Sequence, residues 1–320
     1  MEADLVQRIF LGSSEIRQIR LGERMGGCGP YLIFKLLQDP TSKDLAHKLR
    51  YAHFCHVRLC PTCMWRRCLA WRARFYQAWP NIQKEYPTAR YLHLVLTVPN
   101  CYVENVRDVM TQMSEAWRKM HNRRTWPFLG FIRSFEITRD KKGLAHPHIH
   151  ALLMVESKYF ATDLGLYRNR EMWRKEWASA LNVPKESLIH PYVRAVREKD
   201  RKASSDLVLE VAKYTMKGSD IIKWTRTGPG KEWFLELDRQ VRGIRSVTLG
   251  GVIRKFINED EISDLEMLEQ DKVATGDFLN DLHYDWFPKE KHYIRTKVLS
   301  VVESEWWNRR EKEWTEKRSS

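Results

Sequence analysis

The sequence predicts an α+β fold, in which a central antiparallel sheet is flanked by helices, with an N-terminal zinc-binding module and a C-terminal extension. Three observations favour it. Residues 131–138 alternate apolar and polar side chains, and residues 146–155 run into an apolar strand after a polar turn. Residues 103–123 carry apolar side chains at helical spacing. Closely spaced cysteines precede these segments, as in small metal-binding modules.

The composition favours a polyanionic partner. The chain has 320 residues and a formal charge of +14, from 55 Lys and Arg against 41 Asp and Glu. Its 13 Trp and 12 Tyr are spread among these basic residues, which suits stacking on unpaired bases; a solvated basic face is the alternative. We find no membrane-spanning apolar run, no signal peptide and no phosphate-binding loop of a nucleotide-driven motor, so we expect a cytoplasmic protein without a membrane partner.

Residues 1–27 read as a mobile basic arm, and residues 28–87 as a cysteine-rich module. In a reducing compartment, short cysteine spacings beside turn residues favour a structural zinc site over disulfides. The predicted ligands are Cys28, Cys55, Cys60 and Cys63. Two histidines and one cysteine remain substitutes for one of the four, namely His53, His56 and Cys68. Buried free cysteines are the alternative interpretation.

The next helix is predicted over residues 65–79, with a mixed apolar and basic surface. The side chains expected to face a core are Trp65, Leu69, Phe75, Tyr76 and Trp79. The basic side chains expected to be available for DNA phosphates are Arg66, Arg67, Arg72 and Arg74.

Two histidines open a predicted buried strand, and the side chains of His148 and His150 share one of its faces. If residues 131–138 pair with this strand in a hairpin centred near residues 142–143, Glu136 falls opposite the histidines. Two imidazoles and a carboxylate make a three-ligand site for a divalent metal. The alternatives are two hydrogen-bonded histidines and a polar cross-strand partner.

A later helix is predicted from Ser205, a favourable N-cap, to Gly218. Glu210, Tyr214 and Lys217 form one stripe on it, at spacings of four and three residues. A tyrosine with a pKa of about 10 needs a nearby cation to act as a nucleophile, and Lys217 or a metal supplies one. A glutamate one turn away accepts a proton. An ordinary helix surface is the alternative.

Several segments follow one another along the chain: residues 55–65, 94–100 (LVLTVPN), 135–138 (FEIT), 146–153 (HPHIHALL) and 210–220 (EVAKYTMKGSD). Taken together and in this order, they resemble the motifs of the HUH endonucleases. The chain is similar to the replication initiators of small bacterial rolling-circle plasmids, in the branch with one tyrosine and a glutamate one turn before it. The resemblance covers roughly residues 28–225 and implies a nicking-joining domain at residues 88–225.

The resemblance implies that His148, His150 and Glu136 hold Mg²⁺ or Mn²⁺, while Tyr214 attacks one phosphodiester in single-stranded DNA extruded at the plasmid origin. Tyr214 then keeps the 5′ end, the freed 3′-OH primes a host polymerase, and Glu210 activates water to end the cycle. The resemblance also implies that the protein recruits a host helicase and acts in the bacterial cytoplasm. Whether it acts as a homodimer is left open. His146 departs from the motif as a third histidine, and would be the third ligand if it replaced Glu136.

Residues 226–320 form the expected C-terminal extension, for origin specificity or protein contacts. We predict a hairpin around residues 228–230 and Gly243, helix-like spacing over residues 258–285, and a basic, aromatic tail from residue 289. Two other functions remain open. The same chemistry serves a transposase or a mobilisation relaxase, and a zinc-ribbon DNA-binding regulator would have no cleavage activity.

Overall fold

The computed structural model describes residues 2–161, 164–196, 223–225, 227–268 and 276–319. In chain order the helices are α1 (Glu2–Leu11), α2 (Ile16–Gly26), α3 (Pro61–Glu85), α4 (Val106–His121), α5 (Arg170–Leu181), α6 (Gly228–Val241), the short α7 (Asp264–Met267) and α8 (Val301–Ser319). The strands are β1 (Tyr31–Gln38), β2 (Leu45–Ala52), β3 (Arg90–Thr97), β4 (Phe128–Arg139), β5 (Ala145–Val155), β6 (Tyr192–Ala195), β7 (Val247–Gly251), β8 (Asp277–Phe287) and β9 (His292–Val298).

The chain divides into two compact units. One contains Ala3–Ala70 together with Ile262–Ser320, and the other contains Trp71–Glu261. The first unit has a four-stranded antiparallel sheet in the order β2-β1-β8-β9. Because β8 pairs with β1 along its length, the end of the chain folds with its beginning. The linear division expected from the sequence, with a separate region after residue 225, does not describe this arrangement.

Two further expectations for the first unit are wrong. Residues 1–27 are not a mobile arm, because they form α1 and α2 and bury Val6, Phe10 and Met25. Residues 258–285 are not one long helix. In the described part of that segment only Asp264–Met267 is α-helical, and β8 begins at Asp277.

The second unit has a five-stranded sheet in the order β6-β3-β5-β4-β7, and every neighbouring pair is antiparallel. This confirms the predicted antiparallel sheet with helices. On one face, Trp117 of α4 packs on Phe131 of β4 with ring centroids 5.1 Å apart, and the Trp177 indole of α5 donates to the Thr97 carbonyl at 2.8 Å. The large buried aromatics fix these two helices beside the sheet.

The segment after residue 226 differs from the predicted hairpin. Thr227 caps α6 by accepting a hydrogen bond from the Gly230 amide, and Pro229 stands in the first helical turn. The Gly-Pro-Gly run therefore starts a helix instead of a turn. The following strand, β7, pairs with β4 and extends the central sheet. Within the described ranges, no helix is long and apolar enough to cross a membrane.

Candidate catalytic and metal sites

The β4–β5 hairpin sets the geometry of the histidine strand. Asp140 organises its turn, because its Oδ1 accepts from the amides of Lys142 and Leu144, both at 2.8 Å. Gly143 adopts a φ of +88°, a left-handed conformation that costs glycine little. The resulting register places Glu136 opposite His148, as the sequence predicts.

Polar side chains surround the three predicted metal ligands on the same sheet face. In the register of neighbouring strands, Thr97 of β3 stands opposite His148, and Ser134 of β4 stands opposite His150. Since side chains alternate along a strand, Glu136 and Ser134 point to one side and Phe135 to the other. The site is thus a group of polar side chains on one face of the sheet.

Glu136 and His150 are in direct contact. The Nε2 of His150 donates to the Oε2 of Glu136 over 2.8 Å, and both residues are buried. His148 makes a different contact, because its Nε2 lies 3.3 Å from the Thr138 hydroxyl. The ring centroids of His146 and His148 are 4.1 Å apart, and those of His148 and His150 are 6.1 Å apart. His146 therefore lies beside the predicted ligands.

The electrostatics of this group favour neutral imidazoles at His146 and His148. Burial lowers the pKa of His148 to about 4, helped by His146 and His150 and opposed by Glu136. Burial also lowers the pKa of His146. The Nδ1 of His150 is buried and has no hydrogen-bond partner in the described part of the chain. A neutral imidazole is the form that binds a metal, so these residues fit a divalent cation chemically.

The donor atoms of this group do not converge tightly. In the ranges that the structure describes, only the four cysteines bring three or more metal-type donor atoms within 4.8 Å of one another. His148, His150 and Glu136 do not meet that distance. The predicted nucleophile Tyr214 and its neighbours Glu210 and Lys217 lie outside the described residues.

Tyr192, which was not among the predicted site residues, lies near this face. Tyr192 is exposed on β6, and its ring centroid is 5.7 Å from that of His93, which stacks on His150 at 5.8 Å. The sequence holds a signal for it, because Tyr192 and Arg194 are two residues apart and therefore share one face of β6. The structure thus adds a second tyrosine to be tested.

The predicted zinc ligands Cys28, Cys55, Cys60 and Cys63 come together. The Sγ atom of Cys28 lies 3.8 Å from that of Cys60 and 3.7 Å from that of Cys63. Cys55 Sγ lies 3.5 Å from Cys63 Sγ. Four thiolates at about 2.3 Å from a tetrahedral zinc would be separated by roughly 3.8 Å, so the cluster fits the ion.

The three substitutes for these ligands are engaged elsewhere or lie outside the cluster. His53 Nδ1 donates to the Gly27 carbonyl at 2.6 Å, and His56 Nε2 pairs with Asp264 at 2.7 Å. Cys68 is buried in α3 and is not part of the group. Hydrogen bonding to Cys55 and burial raise the pKa of Cys28, so a thiolate there requires a compensating cation.

Helix α3 differs in part from the expected DNA-binding surface. Arg66 is buried, its Nε donates to the Met267 carbonyl, and its guanidinium lies over the Phe54 ring. The expectation that Arg66 is available for phosphates is therefore wrong. Conversely, Trp65 and Tyr76 were expected to face a core, but they are 48% and 46% exposed.

The other three arginines of α3 are less buried but also have protein contacts. Arg67 donates to the His56 carbonyl at 2.9 Å. Arg72 lies over the Tyr76 ring at 5.6 Å. Arg74 donates to the carbonyls of Asn258 and Asp260 at 2.9 and 2.8 Å. These contacts fix the positions of the guanidinium groups.

The fold and the sites define a class of protein: an α+β chain with a four-cysteine metal cluster and a histidine-carboxylate group on a sheet face. Comparison with known families then gives a match to the Rep_1 replication proteins over residues 46–294. The chain belongs to this family, which confirms, at the level of the family, the resemblance to replication initiators. No solved structure matches the chain.

Relatives in several bacteria support the assignment. The chain is 29% identical to "Protein rep" of Lentilactobacillus hilgardii over 289 residues, covering 87% of this chain and 89% of the relative. It is 32% identical to "Protein rep" of Streptococcus pneumoniae serotype 2 over 258 residues, covering 80% and 76%. The similarity therefore extends well beyond the short motifs.

The cysteine cluster predicts one bound zinc per chain. Replacing Cys60 by Ala removes a buried ligand, so we expect loss of the zinc and a loss of stability on the order of 5 kcal/mol. Zinc released by thiol modification is measured with a colorimetric chelator, and stability by urea unfolding. The matched control is Cys101→Ser, outside the cluster, which should keep the zinc. A Cys60→Ala protein that still holds one zinc would contradict the assignment.

Proposed function

We propose that this chain is a plasmid rolling-circle replication initiator that binds the double-strand origin and nicks one DNA strand through a tyrosine. The main support for this proposal is that Glu136, His148 and His150 lie on the same face of the sheet, in a chain of the replication-protein family. The strong positive charge supports a nucleic-acid partner. The enzyme is a metal-dependent, site-specific single-strand DNA endonuclease and strand transferase.

His148, His150 and Glu136 would hold Mg²⁺ or Mn²⁺, with His146 as the substitute for Glu136. When bound, such a cation polarises a phosphodiester and offsets its negative charge. Because burial lowers the pKa of His148, this residue keeps a lone pair for the metal at neutral pH. The contact between Glu136 and His150 holds the carboxylate in the polar group before a metal arrives.

Tyr214 is the proposed nucleophile. Its phenolate oxygen forms a bond to phosphorus, the 3′ oxygen leaves as a free hydroxyl after taking up a proton, and the 5′ end stays on the tyrosine. Lys217 stabilises the phenolate. Glu210 takes a proton from water, or from an incoming hydroxyl, when the covalent bond is broken at termination.

The free 3′-OH would serve a host polymerase as a primer, and a host helicase would unwind the duplex. Both belong to the bacterial cytoplasm, where we place this chain. On α3, we assign the contacts with DNA phosphates to Arg67, Arg72 and Arg74. Arg66 is left out because it is buried. The chain acts on single-stranded DNA or an extruded hairpin at the nick site, as a monomer or as a homodimer.

Replacing Tyr214 by Phe should reduce the covalent DNA adduct at least ~100-fold and leave DNA binding nearly intact, since the ring remains but the nucleophilic oxygen is lost. The adduct is measured on denaturing gels with labelled single-stranded origin oligonucleotides and Mg²⁺. Tyr192→Phe is the matched control, because Tyr192 is exposed near His93. Loss of the adduct in Tyr192→Phe, with retention in Tyr214→Phe, would transfer the nucleophile to Tyr192.

Glu210→Ala should separate nicking from release. Nicking needs only Tyr214 and the metal group, so its rate should change by less than about tenfold, while covalent protein accumulates because no base activates the second acceptor. A time course of adduct and released DNA measures both steps, with Glu210→Gln as the isosteric control. Equal loss of nicking and release would contradict the role of Glu210.

A further inference from the structure

A cavity of about 440 Å³ opens on the face of the sheet opposite the histidines. It lies between α4, β4 and β7 and is lined by Trp117, His121, Arg133, Gly250 and Arg254, among others. Arg133 is three residues before Glu136 on β4, so its side chain projects from the other face. The cavity is therefore separate from the proposed catalytic group. Its volume lies in the range of roughly 300–1,000 Å³ typical of small-ligand sites.

The guanidinium of Arg133 is the unusual feature of this cavity. Its Nε and Nη1 atoms are buried, and neither has a hydrogen-bond partner in the described part of the chain. The group lies over the rings of Trp117 and Phe135, with its central carbon 5.8 and 5.3 Å from the ring centroids. Burial lowers the pKa of Arg133 to about 10, opposed by Glu259, so it is still charged at neutral pH.

Other cations face the same space. Arg118 of α4 and Arg254 line the cavity, and burial together with Arg133, Arg254 and Arg118 lowers the pKa of His121. The carboxylates do not balance this charge. Glu115 lines the cavity but is exposed to solvent. Glu259 forms ion pairs with Arg245 at 3.0 Å and with Arg254 at 3.4 Å.

Two buried guanidinium nitrogens without hydrogen-bond acceptors are costly, and an apolar side chain of similar length would fill the same place at lower cost. The arrangement becomes favourable when an anion enters the cavity, offsets the charge of Arg133 and accepts hydrogen bonds from its guanidinium. Phosphate oxygens match an arginine donor especially well. Two residues with polar side chains, Thr111 and Ser114, also line the cavity.

We propose that this cavity binds a phosphate group, which Arg133 contacts directly and Arg118 and Arg254 attract. The phosphate belongs either to a small compound of nucleotide size or to the backbone of bound DNA. In both cases the chemistry is the same: a tetrahedral oxyanion accepts hydrogen bonds from the Arg133 guanidinium and offsets its charge. The proposal does not depend on the nicking reaction, because the cavity and the histidines lie on opposite faces of the sheet.

The first experiment measures thermal unfolding of the full chain with inorganic phosphate, or with deoxyadenosine monophosphate, against sodium chloride at equal ionic strength. Wild type should gain stability with phosphate concentration, as expected for a ligand that binds the folded state. Arg133→Met should fold, with an unfolding midpoint equal to or above that of wild type, and should lose the gain. The matched control Arg124→Met removes one exposed charge outside the cavity and should keep it.

A second variant keeps the proposal testable if Arg133→Met does not fold. Arg118 is exposed at the cavity, so Arg118→Met should fold normally and weaken phosphate binding several-fold.

A separate measurement distinguishes the two phosphate sources: the affinity of single-stranded DNA for Arg133→Met is compared with its affinity for Arg124→Met. A larger loss in Arg133→Met assigns the cavity to the DNA backbone, and equal losses assign it to a small phosphate compound. No phosphate-specific gain in wild type, or the same gain in Arg133→Met and Arg118→Met, would overturn the proposal.

Discussion

The register between β4 and β5 is the constraint on which the candidate catalytic group depends. Because side chains alternate along a strand, a slip of one residue would move Glu136 to the opposite face and bury polar groups among α4 and α5. Two features hold the register. Asp140 and Gly143 close the turn, and the buried Phe135 and Ile149, directly opposite each other in the pairing, hold the apolar face.

The same sheet has very different electrostatics on its two faces. The face with His148 and His150 combines imidazoles, of which burial favours the neutral form at His148, with one carboxylate, a donor set for a divalent metal. The other face places Arg133 in a cavity with further arginines, a donor set for an anion. Here one strand, β4, supplies residues to each face by simple alternation.

Local patterns predicted much of this structure, and the failures have physical causes. The β4–β5 pairing and the four cysteines followed from alternation and spacing. The hairpin expected at residues 228–230 failed because Thr227 and Pro229 start a helix as readily as a turn. The pairing of β8 with β1 could not be predicted, since about 240 residues separate the strands and no local pattern specifies such a partner. The burial of Arg66 could not be predicted for the same reason, because its hydrogen-bond acceptor, the Met267 carbonyl, is far away in the sequence.

The most direct test of the central claim is to identify the ligands of Mn²⁺ bound to the full chain, by pulsed electron paramagnetic resonance of its nitrogen couplings. If the β4–β5 register brings the predicted metal ligands together, wild type should show nitrogen couplings from two histidines. His148→Gln should leave one, and His146→Gln should leave both. A bound Mn²⁺ without histidine coupling, or couplings that persist when both His148 and His150 are replaced by Gln, would contradict the account.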